Sequence, residues 1–111
     1  MANLSDNYLT IRSRAIIELK IKGSRFIGMA ERCRREPEAE AFLAEVRKRF
    51  FDASHHCYAY QTGLGEQKKF RYSDAGEPSG TAGKPIYDQI SGKGLTNLVI
   101  VVTRYFGGTK L

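Results

Sequence analysis

The sequence has no tryptophan, only two cysteines and only three prolines in 111 residues. The cysteines, Cys33 and Cys57, are too few for a disulfide scaffold and lack a paired zinc-ligand spacing. A reducing compartment fits that usage. No apolar run approaches the roughly 20 residues that a membrane helix needs. The opening residues, MANLSDNYLTIRSR, contain no apolar stretch of the kind found in secretory signals. These absences weigh against the membrane and secreted classes, and a cytoplasmic protein is expected. There is no internal repeat and no low-complexity segment. Acid is also in deficit: 18 Lys and Arg against 12 Asp and Glu leave a net charge of +6. Such a balance permits contact with a nucleic acid or a ribosome. A basic surface with no polyanion partner explains the charge equally well.

At 41% hydrophobic and 27% charged, the composition is that of an ordinary folded domain. The length allows one domain, residues 1–111. From Leu9 to Lys22 the odd positions are mostly apolar (Leu9, Ile11, Ala15, Ile17, Leu19, Ile21) and the even ones mostly polar. Period two predicts a strand with its odd face buried and a basic outer face of Arg12, Arg14, Lys20 and Lys22. Gly23-Ser24 reads as a hairpin turn, with Arg25–Cys33 returning as the second strand. Glu36-Pro37-Glu38 then opens a helix, where proline and acids suit the first turn. Ala39, Phe42, Leu43, Val46 and Phe50 recur at helical spacing as one apolar stripe. His55–Thr62 and Lys68–Ser73 alternate as strands. DAGEPSGTAGKP, residues 74–85, is too rich in glycine and proline for a regular element. A short helix carrying Ile86 and Ile90 follows, and LVIVV, residues 98–102, reads as a central strand buried on both faces. The expected order is β-β-α-β-β-α-β. The fold class is α+β, a two-layer sandwich in which a mixed sheet carries both helices on one face.

Residues able to carry chemistry lie in HHCYAY, SDAGEPSGTAGKP and TRYFGG. Adjacent His55 and His56 point to opposite strand faces, so His55 and Cys57 give a metal two ligands where a structural zinc site needs four. No metal is expected. Cys57 reads as a small buried hydrophobe. Ser73, Ser79, Thr81, Asp74, Glu77 and His55 contain the raw material of a triad, but such residues are common in any loop. The glycine-rich loop has two readings. Its N–H groups can cradle a phosphate, with Lys84 and Arg104 adding charge. Alternatively it is a tight turn whose Gly80 and Gly83 adopt positive φ. It is no Walker loop, because Pro85 follows Lys84. Tyr58, Tyr60, Phe70 and Tyr72 offer faces for base stacking, and packing beneath the helices accounts for them more simply.

SRFIG, HHCYAY, SDAGEPSGTAGKP and VVTRYFGGTKL together resemble, in order and spacing, the YigZ/IMPACT family, from about Ser24 to Leu111. The resemblance implies the domain-two fold of ribosomal protein S-five. It also implies a role like that of regulators of translation under amino-acid starvation. Ala75 stands where the family usually has a second acid. The family's bacterial members continue past RYFGG into a further helix and a second domain, so this chain is expected to be a truncated form with an exposed apolar patch and a tendency to self-associate. The motif that the family pairs with RYFGG holds Asp74 and Glu77, so Arg104 is expected to pair with a carboxylate of that loop. Gly107 and Gly108 complete the motif set. The resemblance implies no catalytic residue, and no cofactor is expected. The favoured reading is a non-enzymatic module that binds RNA or a ribosome-associated protein through Arg12, Arg14, Lys20, Lys22, Arg71, Lys84 and Arg104. The alternative is a small enzyme or phosphate-binding domain centred on the glycine-rich loop.

Overall fold

Period two and period 3.6 divide the chain, and the backbone follows that division. The computed structural model describes residues 8–73 and 83–106. Its elements are β1 Ala15–Ile21, β2 Ser24–Arg32, α1 Glu36–Arg49, β3 His55–Thr62, β4 Lys69–Ser73, α2 Gly83–Gly92 and β5 Leu98–Tyr105. The α+β class and the element order are as expected. The five strands form one sheet in the order β1-β2-β5-β3-β4.

Two finer expectations fail. The sheet is antiparallel throughout its strand pairs, not mixed. The helix α1 carries the chain from β2 to β3, which run in the same direction, but β5 inserts between them and opposes both. Nor do the helices share a face. Tyr58 and Tyr60 of β3 pack with Ala39, Phe42, Leu43 and Val46 of α1. The intervening Ala59 packs with Ile90 of α2 instead. Neighbours along a strand point to opposite faces, so α1 and α2 cover opposite sides of the sheet. The central strands β3 and β5 are therefore covered from both sides, and in LVIVV Leu98, Val99 and Val101 are buried while Ile100 and Val102, on the α2 side, are half-buried.

The first strand behaves differently from its reading. All seven residues of β1 are exposed, including Ile17 at 60% and Leu19 at 51%. The alternation marks a strand correctly, but burial also requires a covering layer. The helix α1 lies on β3 and β5, and α2 lies on β3 and β4, so neither reaches this edge. The β1–β2 turn sits one residue earlier than predicted. Lys22 and Gly23 occupy its centre, at φ 52° and 86°, the two positive angles of a type I′ hairpin.

Helix α1 starts as its sequence implies. Pro37 stands in the first turn with Glu36 and Glu38, and a Glu38 carboxylate oxygen accepts the Arg34 backbone N–H at 2.6 Å. Arg47, Lys48 and Arg49 close its last turn, where cations complement the dipole. They belong to the helix end.

Candidate functional site

The cations expected to meet a polyanion separate into two groups. Arg12, Lys20 and Lys22 are exposed and make no ion pair among the described residues. Arg14 is held by the fold. Its guanidinium meets Glu31 at 2.7 Å and Glu45 at 2.7 Å, and lies 5.0 Å from the Phe42 ring centroid. It ties the segment before β1 to β2 and α1. Arg25, which the sequence pattern does not single out, is held similarly by Glu18 at 2.6 Å and by the Tyr105 ring at 5.3 Å. Arg71 approaches Glu40 at 3.6 Å on the α1 side of the sheet, and Lys84 bonds Asp88 one turn along α2 at 3.1 Å.

The described motif residues are positioned by strand register and by the start of α2. The β3–β5 register sets His55 opposite Arg104. The β3–β4 register sets Tyr58 opposite Ser73, and Gly83 opens α2 directly against Ser73. A Cβ at Gly83 would collide with the Ser73 backbone. Gly83 does not have positive φ, so its requirement is space rather than handedness. Asp74, Glu77, Ser79, Gly80, Thr81, Gly107 and Gly108 lie outside the described residues, as does any pairing of Arg104 with the carboxylates among them.

Arg104 runs along the α2 side of the sheet, in the face that β5 shares with His55. Its guanidinium stands 5.4 Å from the Phe26 ring centroid and 4.5 Å from that of Phe106. Phe106 also meets the His55 ring edge-on at 5.6 Å. Phe26 is the register partner of Arg104 in β2. Neither ring is among the residues that the sequence pattern singles out. Phe106 is within reach of that pattern, because residues 104 and 106 share a face at period two. Phe26 needs the strand order, which the sequence does not display.

Burial tunes three further groups, His56, Tyr60 and Cys33. His56 lies on the α1 side, where its Nδ1 pairs with the Thr103 hydroxyl at 3.2 Å. Burial, followed by the nearby Arg47 cation, lowers its pKa. The Tyr60 hydroxyl donates to Glu40 at 3.1 Å and Glu36 at 3.4 Å, and burial, then Glu40, pushes its pKa up to about 12. Burial, chiefly, also pushes the Cys33 thiol up to about 12, which suits packing rather than nucleophilic attack. Cys57 is buried, as expected of a small hydrophobe. Among the described residues no three His, Cys, Asp or Glu side chains gather as a metal site. Nor is any helix among them long and apolar enough to cross a membrane.

Against known proteins, the model of the Impact N-terminal domain matches residues 22–111. The chain is 39% identical over 105 residues to the IMPACT family member YvyE of Bacillus subtilis, covering 95% of this chain and 48% of that protein. It is 43% identical over 93 residues to the IMPACT family member YigZ of Escherichia coli, covering 83% of this chain and 46% of that protein. The chain thus spans about half the length of the curated relatives it matches. A crystal structure of a hypothetical protein superposes with a TM-score of 0.86 at 39% identity, over 94% of this chain and 51% of the other. The two-domain translational regulator Yih1 superposes with a TM-score of 0.69 at 20% identity, over 97% of this chain and 43% of that one.

Proposed function

Because the chain belongs to the Impact N-terminal domain family, we propose that it is a non-enzymatic module of translation control that binds RNA through its β1 edge. The observation that carries this reading is the set of exposed cations Arg12, Lys20 and Lys22, which form no ion pair among the described residues. Cations already committed to carboxylates contribute little to a polyanion site, since binding there must first break a pair. The fold is shared with Yih1, a translational regulator, and the reading extends that role to this chain. The relatives' length supports treating residues 1–111 as one domain of a longer protein type.

The test is a fluorescence-anisotropy titration of labelled duplex and single-stranded RNA at several salt concentrations. With three phosphates neutralised, affinity should fall about 20-fold or more between 50 and 200 mM salt. Absence of binding at low salt contradicts the reading. A ribosome-associated protein as the sole partner would show as such an absence, together with binding to intact ribosomes that survives nuclease treatment.

A further inference from the structure

The edge of the sheet opposite β1 carries a second surface, made of rings. Gln61 and Ala59 of β3 pair with Phe70 and Tyr72 of β4, which places both rings on the α2 side. Tyr87 of α2 meets them there. Its ring centroid is 4.6 Å from that of Phe70 at 23°, and 5.8 Å from that of Tyr72 at 25°. Phe70 and Tyr72 are themselves 6.5 Å apart at 10°, so the three rings lie nearly parallel. The stack is held in place. The Tyr87 hydroxyl donates to the Gln61 side-chain oxygen at 3.3 Å, and the Gln61 amide donates to the Leu95 carbonyl at 3.2 Å. Packing under α2 explains Tyr87. It leaves unexplained why two further rings stand on the sheet edge at 53% and 39% exposure.

A cavity of about 520 Å³ opens at the foot of the stack, walled by Phe70, Tyr87, Gln61, Lys68, Ser91 and Tyr8 among others, with no carboxylate among the described residues of its lining. That volume falls within the range of small-molecule sites. Lys68 stands at the cavity, exposed and without an ion pair among the described residues, whereas Lys69, the next residue, points to the α1 side of the sheet. Parallel aromatic faces beside a cation without an ion pair complement a ligand that alternates planar rings with phosphates. We infer that the Phe70–Tyr72–Tyr87 stack and its cavity seat unpaired bases of single-stranded RNA, with Lys68 meeting a phosphate. The inference rests on the RNA reading above and names the strand form and the seat. Duplex RNA keeps its bases stacked inside and gains nothing from these rings.

The experiment compares a labelled ten-nucleotide pyrimidine RNA with a duplex of equal length, using wild type, Phe70→Leu, Tyr72→Leu and Tyr72→Phe. Each leucine variant should bind the single strand about 5- to 100-fold more weakly. Duplex binding should be unchanged, and Tyr72→Phe should retain single-strand affinity. If wild type binds but the leucine variants lose nothing, the rings serve packing alone and this inference falls while the RNA reading stands. If wild type binds neither RNA at low salt, the RNA reading falls and takes this one with it. Should the leucine variants unfold, Lys68→Gln decides, with Lys69→Gln on the opposite face as its control. Single-strand affinity falling about threefold with Lys68→Gln and not with Lys69→Gln supports the seat, and unchanged affinity in Lys68→Gln overturns it.

Discussion

A glycine, an arginine and two buried protons show how local physics decides this molecule. Gly83 is needed because α2 begins against the backbone of Ser73, where any Cβ collides. Gly83→Ala should destabilise the fold by about 1–3 kcal/mol, read as a lower urea midpoint. An unchanged midpoint means that α2 starts elsewhere. The sequence marks this glycine as special but not why: positive φ and close approach both exclude a side chain. Arg104 is legible as a cation at the mouth of a core strand, whereas its two rings come from strand order and from the residue just past β5. A lysine has no planar charged group to stack between them. Arg104→Lys should therefore cost about 1 kcal/mol, lowering Tm by several degrees. An unchanged Tm with weakened RNA binding assigns Arg104 to phosphate instead. Cys33 and Tyr60 hold their protons up to about pH 12 in the folded chain. The unfolded chain releases them near pH 9 and 10. The folded state thus binds more protons across that window, and stability is full below it and falls as pH rises through it. Urea midpoints at pH 8, 10 and 11 should decline in that order, and Tyr60→Phe should flatten the decline.

At the scale of elements, β1 separates what patterning reveals from what it leaves out. Alternation identifies the strand, and the hairpin glycine locates its turn to within one residue. The burial of its odd face is not encoded there, because a strand's pattern says nothing about which layer lies above it. The same gap explains why α2 is expected beside α1. Their apolar stripes look alike in sequence, and only the alternation of Tyr58, Ala59 and Tyr60 between them separates the two faces. Ile17, Leu19 and Ile21 consequently stand exposed on an edge strand, the arrangement that favours strand addition by another chain. The apparent mass by light scattering should rise with protein concentration. Leu19→Glu should hold the chain monomeric while changing stability by no more than about 0.5 kcal/mol. A wild type that stays monomeric at high concentration contradicts this, as does a large loss of stability in the variant.

For the molecule as a whole, the α+β class and the family are legible because long motifs, SRFIG to RYFGG, recur in order. The site is less so. Composition gives the sum of charge, +6, but not which cations the fold has already neutralised. Arg14 and Lys20 look equivalent on an alternating strand, yet one is clamped between Glu31 and Glu45 and the other faces solvent without an ion pair among the described residues. Central to the proposed function is RNA binding by the cations that form no ion pair among the described residues. The most direct test is the slope of log affinity against log salt for duplex RNA, in wild type, Lys20→Gln, Lys22→Gln and Arg14→Gln. Each lysine variant should reduce the magnitude of the slope by about 0.9, the share of a single neutralised phosphate. Arg14→Gln should lower Tm and leave the slope unchanged. A slope that the lysine variants leave intact, or that falls with Arg14→Gln alone, contradicts the claim.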